Sequence, residues 1–268
     1  MINDYKRDGY VLRKSFFLRE DIERVRHDAK NVFIAQMRAR GILSHATPSE
    51  EEFESAMREY FASDMYGFVN CGKTCQHLVS LHRLSLSEAV MNELKLLGIQ
   101  TPNICTRPVI YFNSRHLAKH EVYYKTPPHQ DWRSMQGSLN AVVLWVPLVD
   151  VSVSLGALEI IPGSHRCGLQ DSRQDEWFRS LEHTDDRQFV PVEVETGDAL
   201  FFSAFLIHRS GNNVTDAIRW SCHFRYNDLA ERTFIERKYP NPYIYKPEQE
   251  LVTHGFPTSE LIQEVFSL

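Results

Sequence analysis

The chain has 268 residues, 43% hydrophobic, 12% aromatic and 24% charged, an ordinary composition for a globular protein. Its formal net charge of −5 argues against nucleic acid as a partner, because phosphate binding needs a basic field. No apolar run approaches the ~18 residues that a membrane helix requires, and the opening MINDYKRDGY lacks the apolar core of a secretory signal. Cysteines 71, 75, 105, 167 and 222 are odd in number, which fits reduced thiols and a cytoplasmic location better than a disulfide framework. No second pair follows Cys71 and Cys75, so both read as ordinary thiols rather than zinc ligands.

In chain order, the first hundred residues carry helical patterning. Ile22, Val25, Ala29, Val32 and Phe33 recur at helical spacing, and that helix ends near Gly41. Glu50 to Tyr60 predicts a second helix, acidic at its start as the helix dipole favours. Ser85-Leu-Ser-Glu88 resembles a capping box, opening a third helix that closes near Gly98. After Pro102 the chain turns to short β-rich runs: Val109–Asn113, Ser138–Leu148, Ala157–Ile161, Val190–Val194, Ala199–Phe202 and Arg219–Tyr226. Gly197-Asp198 predicts a tight turn, and Asn140–Leu148 is apolar enough to be buried on both faces. Asp171 to Arg187 is polar and charged, a long excursion of the kind that forms lids.

No repeat or linker divides the chain. A single domain over 1–268 is expected, with 1–100 a largely helical support, 101–230 a barrel core and 231–268 a C-terminal extension. The fold class is mainly β with N-terminal helices, a sandwich or barrel with those helices packed on one sheet.

The stretch TPPHQDWR, residues 126–133, carries the most chemistry. On a strand, residues two apart share a face, so His129 and Asp131 would converge on one ion while Gln130 points away. Two histidines and one carboxylate can hold one face of an octahedral iron(II) and leave three positions open. With twelve histidines in the chain a third ligand is cheap, and a solvent-facing polar pair accounts for HxD equally well. His208 gains weight from its context, after the apolar run Ala204–Ile207 and eleven positions before Arg219. An arginine in a mostly apolar strand needs an anion, either a local carboxylate or a ligand.

These segments resemble the phytanoyl-CoA dioxygenase family of iron(II)/2-oxoglutarate oxygenases. The resemblance begins at Asp8-Gly-Tyr-Val-Leu12 and Phe17-Leu-Arg-Glu-Asp-Ile22, and continues through Pro128-His-Gln-Asp131. It then runs through Leu155-Gly-Ala-Leu-Glu-Ile-Ile-Pro-Gly-Ser-His165 and Gly197-Asp198, and closes with His208-x-Ser-Gly-x-Asn213 and Arg219. It implies a double-stranded β-helix, a jelly-roll (cupin-like) barrel whose mouth holds the metal. It implies His129, Asp131 and His208 as iron ligands, and Arg219, helped by Ser210, as the partner of the C5 carboxylate of 2-oxoglutarate. Tyr111 and Asn113 become candidates for the other end of that keto acid. Asp131 fills the ligand position that halogenating relatives leave to chloride, which argues against halogenation. The reaction implied consumes O2 and 2-oxoglutarate, releases succinate and CO2, hydroxylates an unactivated C–H bond, and is supported by ascorbate.

Gln130, Trp145, Arg115 and Arg133 are candidates to touch a small-molecule substrate, against plainer surface, core or loop roles. Arg115 to His120, with Lys125, forms a basic cluster that suits an anionic substrate. His165 follows a turn and His223 reads as a core histidine, so neither is expected to bind metal. Gly156 and Pro162-Gly163 read as structural corners. HQDWRSMQGSLN faintly resembles bacterial members linked to surface-sugar biosynthesis. That favours a small polar or anionic metabolite, a sugar acid or activated sugar, over an acyl-CoA or natural-product scaffold. A metal-dependent isomerase and a non-catalytic binding barrel remain open as other classes.

Overall fold

The computed structural model describes residues 2–117, 125–174 and 179–240. Its helical part opens with α1 (Ile2–Asp8), β1 (Tyr10–Arg13) and α2 (Arg19–Ala39). α2 buries Ile22, Val25, Ala29, Phe33, Ile34 and Met37, the three-and-four spacing visible in the sequence. α3 (Glu50–Ser63) starts from a complete capping box, in which Ser49 Oγ accepts from Glu52 N and the Glu52 carboxylate accepts from Ser49 N. α4 (Met65–Cys75) and α5 (Val79–Ser85) were not anticipated. α4 carries two glycines and an asparagine, poor helix formers, and is held by burial of Phe68, Cys71 and Cys75. α6 (Glu88–Leu96) is capped by Ser87, whose side chain accepts from Val90 N; Ser85, the expected cap, instead closes α5.

The β-rich part contains β2 (Pro102–Ile104), β3 (Val109–Asn113), the single turn α7 (Trp132–Met135), β4 (Val142–Pro147) and β5 (Leu158–Ile160). It continues with β6 (Ser172–Gln174), β7 (Arg179–Leu181), β8 (Val190–Val192), β9 (Ala199–Ser203), β10 (His208–Ser210), β11 (Arg219–Asp228) and α8 (Arg232–Glu236). One antiparallel sheet runs β1-β9-β4-β11-β2, with β3 also on β11; a second runs β10-β5-β8, and β6 pairs with β7. The excursion from Asp171 thus holds a hairpin, with residues 175–178 outside the described set.

Strand parity divides the interior in two. Val142, Leu144 and Val146 of β4 join Trp220, Cys222, Phe224 and Tyr226 of β11 against Phe33, Phe53 and Phe68 of the helices. Val143 and Trp145 face the opposite way and pack with Leu158, Ile160 and Val192 of the second sheet. β4 is therefore buried on both faces, as its apolar run predicts, though it is shorter than Ser138–Leu148. Ser138 lies in a turn pinned by the Asn227 side chain and by Asp228 N.

Among the described residues the strands form two open sheets facing one another, not the closed barrel expected. The physical reason is local: Pro127 and Pro128 have no N–H to donate, so the segment before His129 joins β10 only through the single bridge His129–His208 and a bond from Ser210 N to Thr126 O. Cys71, Cys75, Cys105 and Cys222 are buried thiols and Cys167 an exposed one, none in a disulfide. No helix of the described residues is long and apolar enough to cross a membrane.

Candidate metal centre and its cavity

His129 and His208 face each other across an antiparallel bridge, with His129 N donating to His208 O at 3.0 Å and His208 N to His129 O at 3.2 Å. His208 is the first residue of β10, and the apolar run before it lies outside the strands, with a turn at Ala204 and Phe205. The imidazoles lie 4.2 Å apart, centre to centre. Each is oriented by its own loop: Nδ1 of His129 meets Pro127 O at 2.8 Å, and Nδ1 of His208 meets Leu206 O at 3.0 Å. A carbonyl only accepts, so both Nδ1 atoms carry a proton, and the neutral ring with that tautomer turns an Nε2 lone pair to a metal.

Asp131 reaches the same place by another route than strand parity. Its backbone is helical (φ −64°, ψ −30°), and it caps α7 through bonds from Ser134 N and Met135 N to its carbonyl. The carboxylate is swung inward by Arg225, which donates Nε and Nη2 to Oδ1 at 3.1 and 2.8 Å. Oδ2 stays buried with no hydrogen-bond partner, 3.6 Å from His208 Nε2. Ligand atoms of His129, Asp131 and His208 all lie within 4.8 Å of one another, the one such group of three among the described residues. Burial pushes the Asp131 carboxyl up, but Arg225 and the neighbouring imidazoles outweigh it and hold it well below the usual carboxylate range. Burial, then His129, pushes His208 down to about 3. The cluster therefore presents one carboxylate and a neutral His208 imidazole near neutral pH, a donor set that fits a divalent ion with positions left open.

The cluster lies at one side of a cavity of about 610 Å3 between the sheets. Arg219, on the cavity face of β11, is 1% exposed. Its Nη1 donates to Gly156 O, its Nε has no hydrogen-bond partner, and no carboxylate pairs with it among the described residues. Burial pushes the guanidinium down to about 10, still charged at neutral pH. The rings of Tyr111 and Trp145 stand 5.9 and 6.0 Å from its carbon, and Ser210 lines the same cavity. The described residues thus supply Arg219 with no structural salt bridge. Gly156 (φ +82°) leaves no room for a side chain there, since a Cβ would sit 2.9 Å from Gly211 O.

The remaining candidates separate. Tyr111, Trp145, Gln130 and Arg133 line the cavity; Asn113 does not. Asn113 is buried on β3, with its carbonyl held by Asn213 Nδ2. Gln130 is neither a surface residue nor free for a ligand: Nε2 donates to Gly168 O and Phe205 O, and Oε1 accepts from Gln170 N. Arg115 is held at the surface by Asp216 and does not line the cavity; Lys119 and His120 of the expected basic cluster lie in residues 118–124, outside the described set. His165 bonds Lys6 O, far from the cluster in role. His223 is not core: it lines the cavity between Arg219 and Arg225. Arg225 and Arg107 were overlooked. Parity would have found the first, because residues 219, 221, 223 and 225 share one face of β11.

The phytanoyl-CoA dioxygenase (PhyH) family model matches residues 5–221. Phytanoyl-CoA dioxygenase 1 of Oryza sativa subsp. japonica is 30% identical over 130 residues, 44% of this chain and 46% of that protein. The peroxisomal phytanoyl-CoA dioxygenase of Homo sapiens is 23% identical over 241 residues, 84% of this chain and 67% of that protein. A methylphosphonate hydroxylase of Gimesia maris is 30% identical over 129 residues, 46% of this chain and 49% of that protein. The chain thus spans about half to two thirds of the length of these relatives. Among solved structures, the epimerase SnoN with Fe3+, alpha-ketoglutarate and nogalamycin RO has a TM-score of 0.59 at 20% identity, covering 92% of this chain and 90% of that one. EctD from S. alaskensis with 2-oxoglutarate and 5-hydroxyectoine has a TM-score of 0.53 at 17% identity, covering 86% and 76%. Such identities speak for the fold alone, but the family match covers most of the chain: it belongs to the phytanoyl-CoA dioxygenase family of iron(II)- and 2-oxoglutarate-dependent oxygenases.

Proposed function

We propose that the cavity is the active site of an oxygenase that couples oxidative decarboxylation of 2-oxoglutarate to hydroxylation of a small polar or anionic metabolite, a sugar acid or activated sugar being the favoured class. The observation that carries this reading is Arg219: a buried, charged guanidinium with no carboxylate partner among the described residues, in the same cavity as the His129, Asp131 and His208 cluster. A bound anion would relieve that cost.

In this reading His129 Nε2, His208 Nε2 and Asp131 Oδ2 hold one iron(II). Arg219 takes the C5 carboxylate of 2-oxoglutarate, with Ser210 as a second donor and Tyr111 and Trp145 packing beside it. The bound iron supplies the activation of O2, so that substrate C–H, O2 and 2-oxoglutarate become C–OH, succinate and CO2. The chain's part is to place the keto acid, hold the ligands in one protonation state and exclude water with Trp145, Leu158 and Phe202. A jelly-roll arrangement within one domain over 1–268 is the corresponding fold reading. The methylphosphonate hydroxylase lends the anionic class a precedent among the relatives.

The test is anaerobic titration with iron(II) and 2-oxoglutarate, followed by succinate measurement in air with ascorbate. A weak visible chelate band and iron-dependent succinate are expected. A protein that binds iron but forms neither band nor succinate is an isomerase or a binding scaffold instead.

A further inference from the structure

Among the described residues, four arginines, Arg107, Arg133, Arg219 and Arg225, line the cavity against one carboxylate, Asp131. The whole chain carries a net charge of −5, so the cavity has the opposite sign to the protein around it. Two of the four have assignments: Arg225 by its bonds to Asp131, and Arg219 by the keto acid. An iron(II) ion and a 2-oxoglutarate dianion cancel in charge, so loading the centre leaves the surplus unchanged.

Arg107 and Arg133 remain. Arg107 donates Nε to Gln76 Oε1 at 2.7 Å, and no carboxylate pairs with it among the described residues. Arg133 donates Nη2 to Gln170 O, while its Nε is buried with no hydrogen-bond partner. A charged guanidinium N–H buried without an acceptor is costly. Gln76, Thr106 and Ser134 line the cavity beside these arginines and add neutral polar groups, with no acid among them.

We propose that Arg107 and Arg133 form a second anion subsite, separate from that of the keto acid, which receives an oxyanion group of the substrate: a carboxylate, phosphonate or phosphate. This rests on the reading of the cavity as an oxygenase site. Each guanidinium can meet two oxygens of such a group, and the surrounding field favours a dianion over a neutral alcohol.

The test uses the full chain loaded anaerobically with iron(II) and saturating 2-oxoglutarate, so that Arg219 is already engaged. Calorimetric titration compares inorganic phosphate, D-glucuronate and neutral D-glucose. At least one anion should bind tenfold or more tightly than glucose, and which one binds separates the phosphate or phosphonate class from the carboxylate class. Arg107→Gln and Arg133→Gln should each weaken that binding about tenfold, roughly the worth of one charged hydrogen bond, with the chelate band as the control for folding. Anions that bind no better than glucose, or equally well to both variants, overturn the subsite. Failure of the oxygenase reading looks different: the loaded wild-type protein then shows no chelate band at all.

Discussion

Arg225 gives two hydrogen bonds to one oxygen of Asp131 and leaves the other oxygen, buried and unpartnered, toward two imidazoles. Strand β11 therefore positions the carboxylate of a short turn that it does not otherwise pair with. Two effects oppose here. Arg225 fixes the carboxylate, which favours metal binding, and it adds a positive charge near the ion, which opposes it. Outer-shell partners that orient ligands are typically worth 10- to 100-fold in metal affinity, and Oδ1, not Oδ2, takes the guanidinium's charge directly. Arg225→Met is accordingly expected to weaken iron(II) or cobalt(II) binding by about 10- to 100-fold, read by anaerobic titration. Tighter binding would mean that repulsion dominates.

Arg219→Met should act on the keto acid and spare the metal. Losing a charged, desolvated pair of hydrogen bonds costs about 1.5–3 kcal/mol, which is a 10- to 100-fold rise in the 2-oxoglutarate Kd. Cobalt(II) spectra without keto acid should stay unchanged, because Arg219 is bonded to Gly156 O and not to any ligand. A variant that binds 2-oxoglutarate normally would remove Arg219 from the site.

How much of this was legible depends on what each residue needed from afar. The order His129, Asp131, His208 and Arg219 stands in the chain itself, and each lines the cavity. Strand parity puts Arg225 on the face of Arg219, but its bond to Asp131, 94 positions away, is made only by the fold. Strand parity brings Asp131 toward His129, but a helical turn and a guanidinium, not a strand, aim it. Helices α2 and α3 were visible through spacing and caps. α4 was hidden by its glycines, since packing of Phe68 against Phe33 and Phe112, not propensity, sustains it.

Gln130 sits between two proposed ligands, and its amide closes the wall of the cavity instead of touching its contents. It joins Phe205 on one side to Gly168 and Gln170 on the other. Gln130→Leu keeps the volume and removes the three part-buried hydrogen bonds that tie Phe205 to Gly168 and Gln170, at about 0.5–1.5 kcal/mol each. The segment 168–174 should then exchange its amides faster, at Gln170 above all, in hydrogen-exchange mass spectrometry. Unchanged exchange there would show that the hairpin holds itself.

The Gly197-Asp198 turn makes a stability prediction that is independent of the metal. Asp198 is 2% exposed. Its carboxylate accepts from Lys14 Nζ at 2.7 Å, Glu195 N at 2.8 Å and Ser15 N at 3.0 Å, tying the end of β1 to the start of β9. Burial pushes this carboxyl up, but the bonds from Glu195 N, Lys14 and Ser15 N outweigh it, so its pKa is lowered on folding. A carboxylate lowered in the folded state contributes its full stabilisation above the unfolded value, about 4 for aspartate, and loses it as pH falls through the folded one. Asp198→Asn should therefore lower Tm at pH 7, by several degrees if about 1–3 kcal/mol is lost. The gap to wild type should narrow as the pH is taken below about 4. A gap of equal size at pH 7 and pH 3 would mean that the shape of the turn, and not the charge on Asp198, supplies the stability.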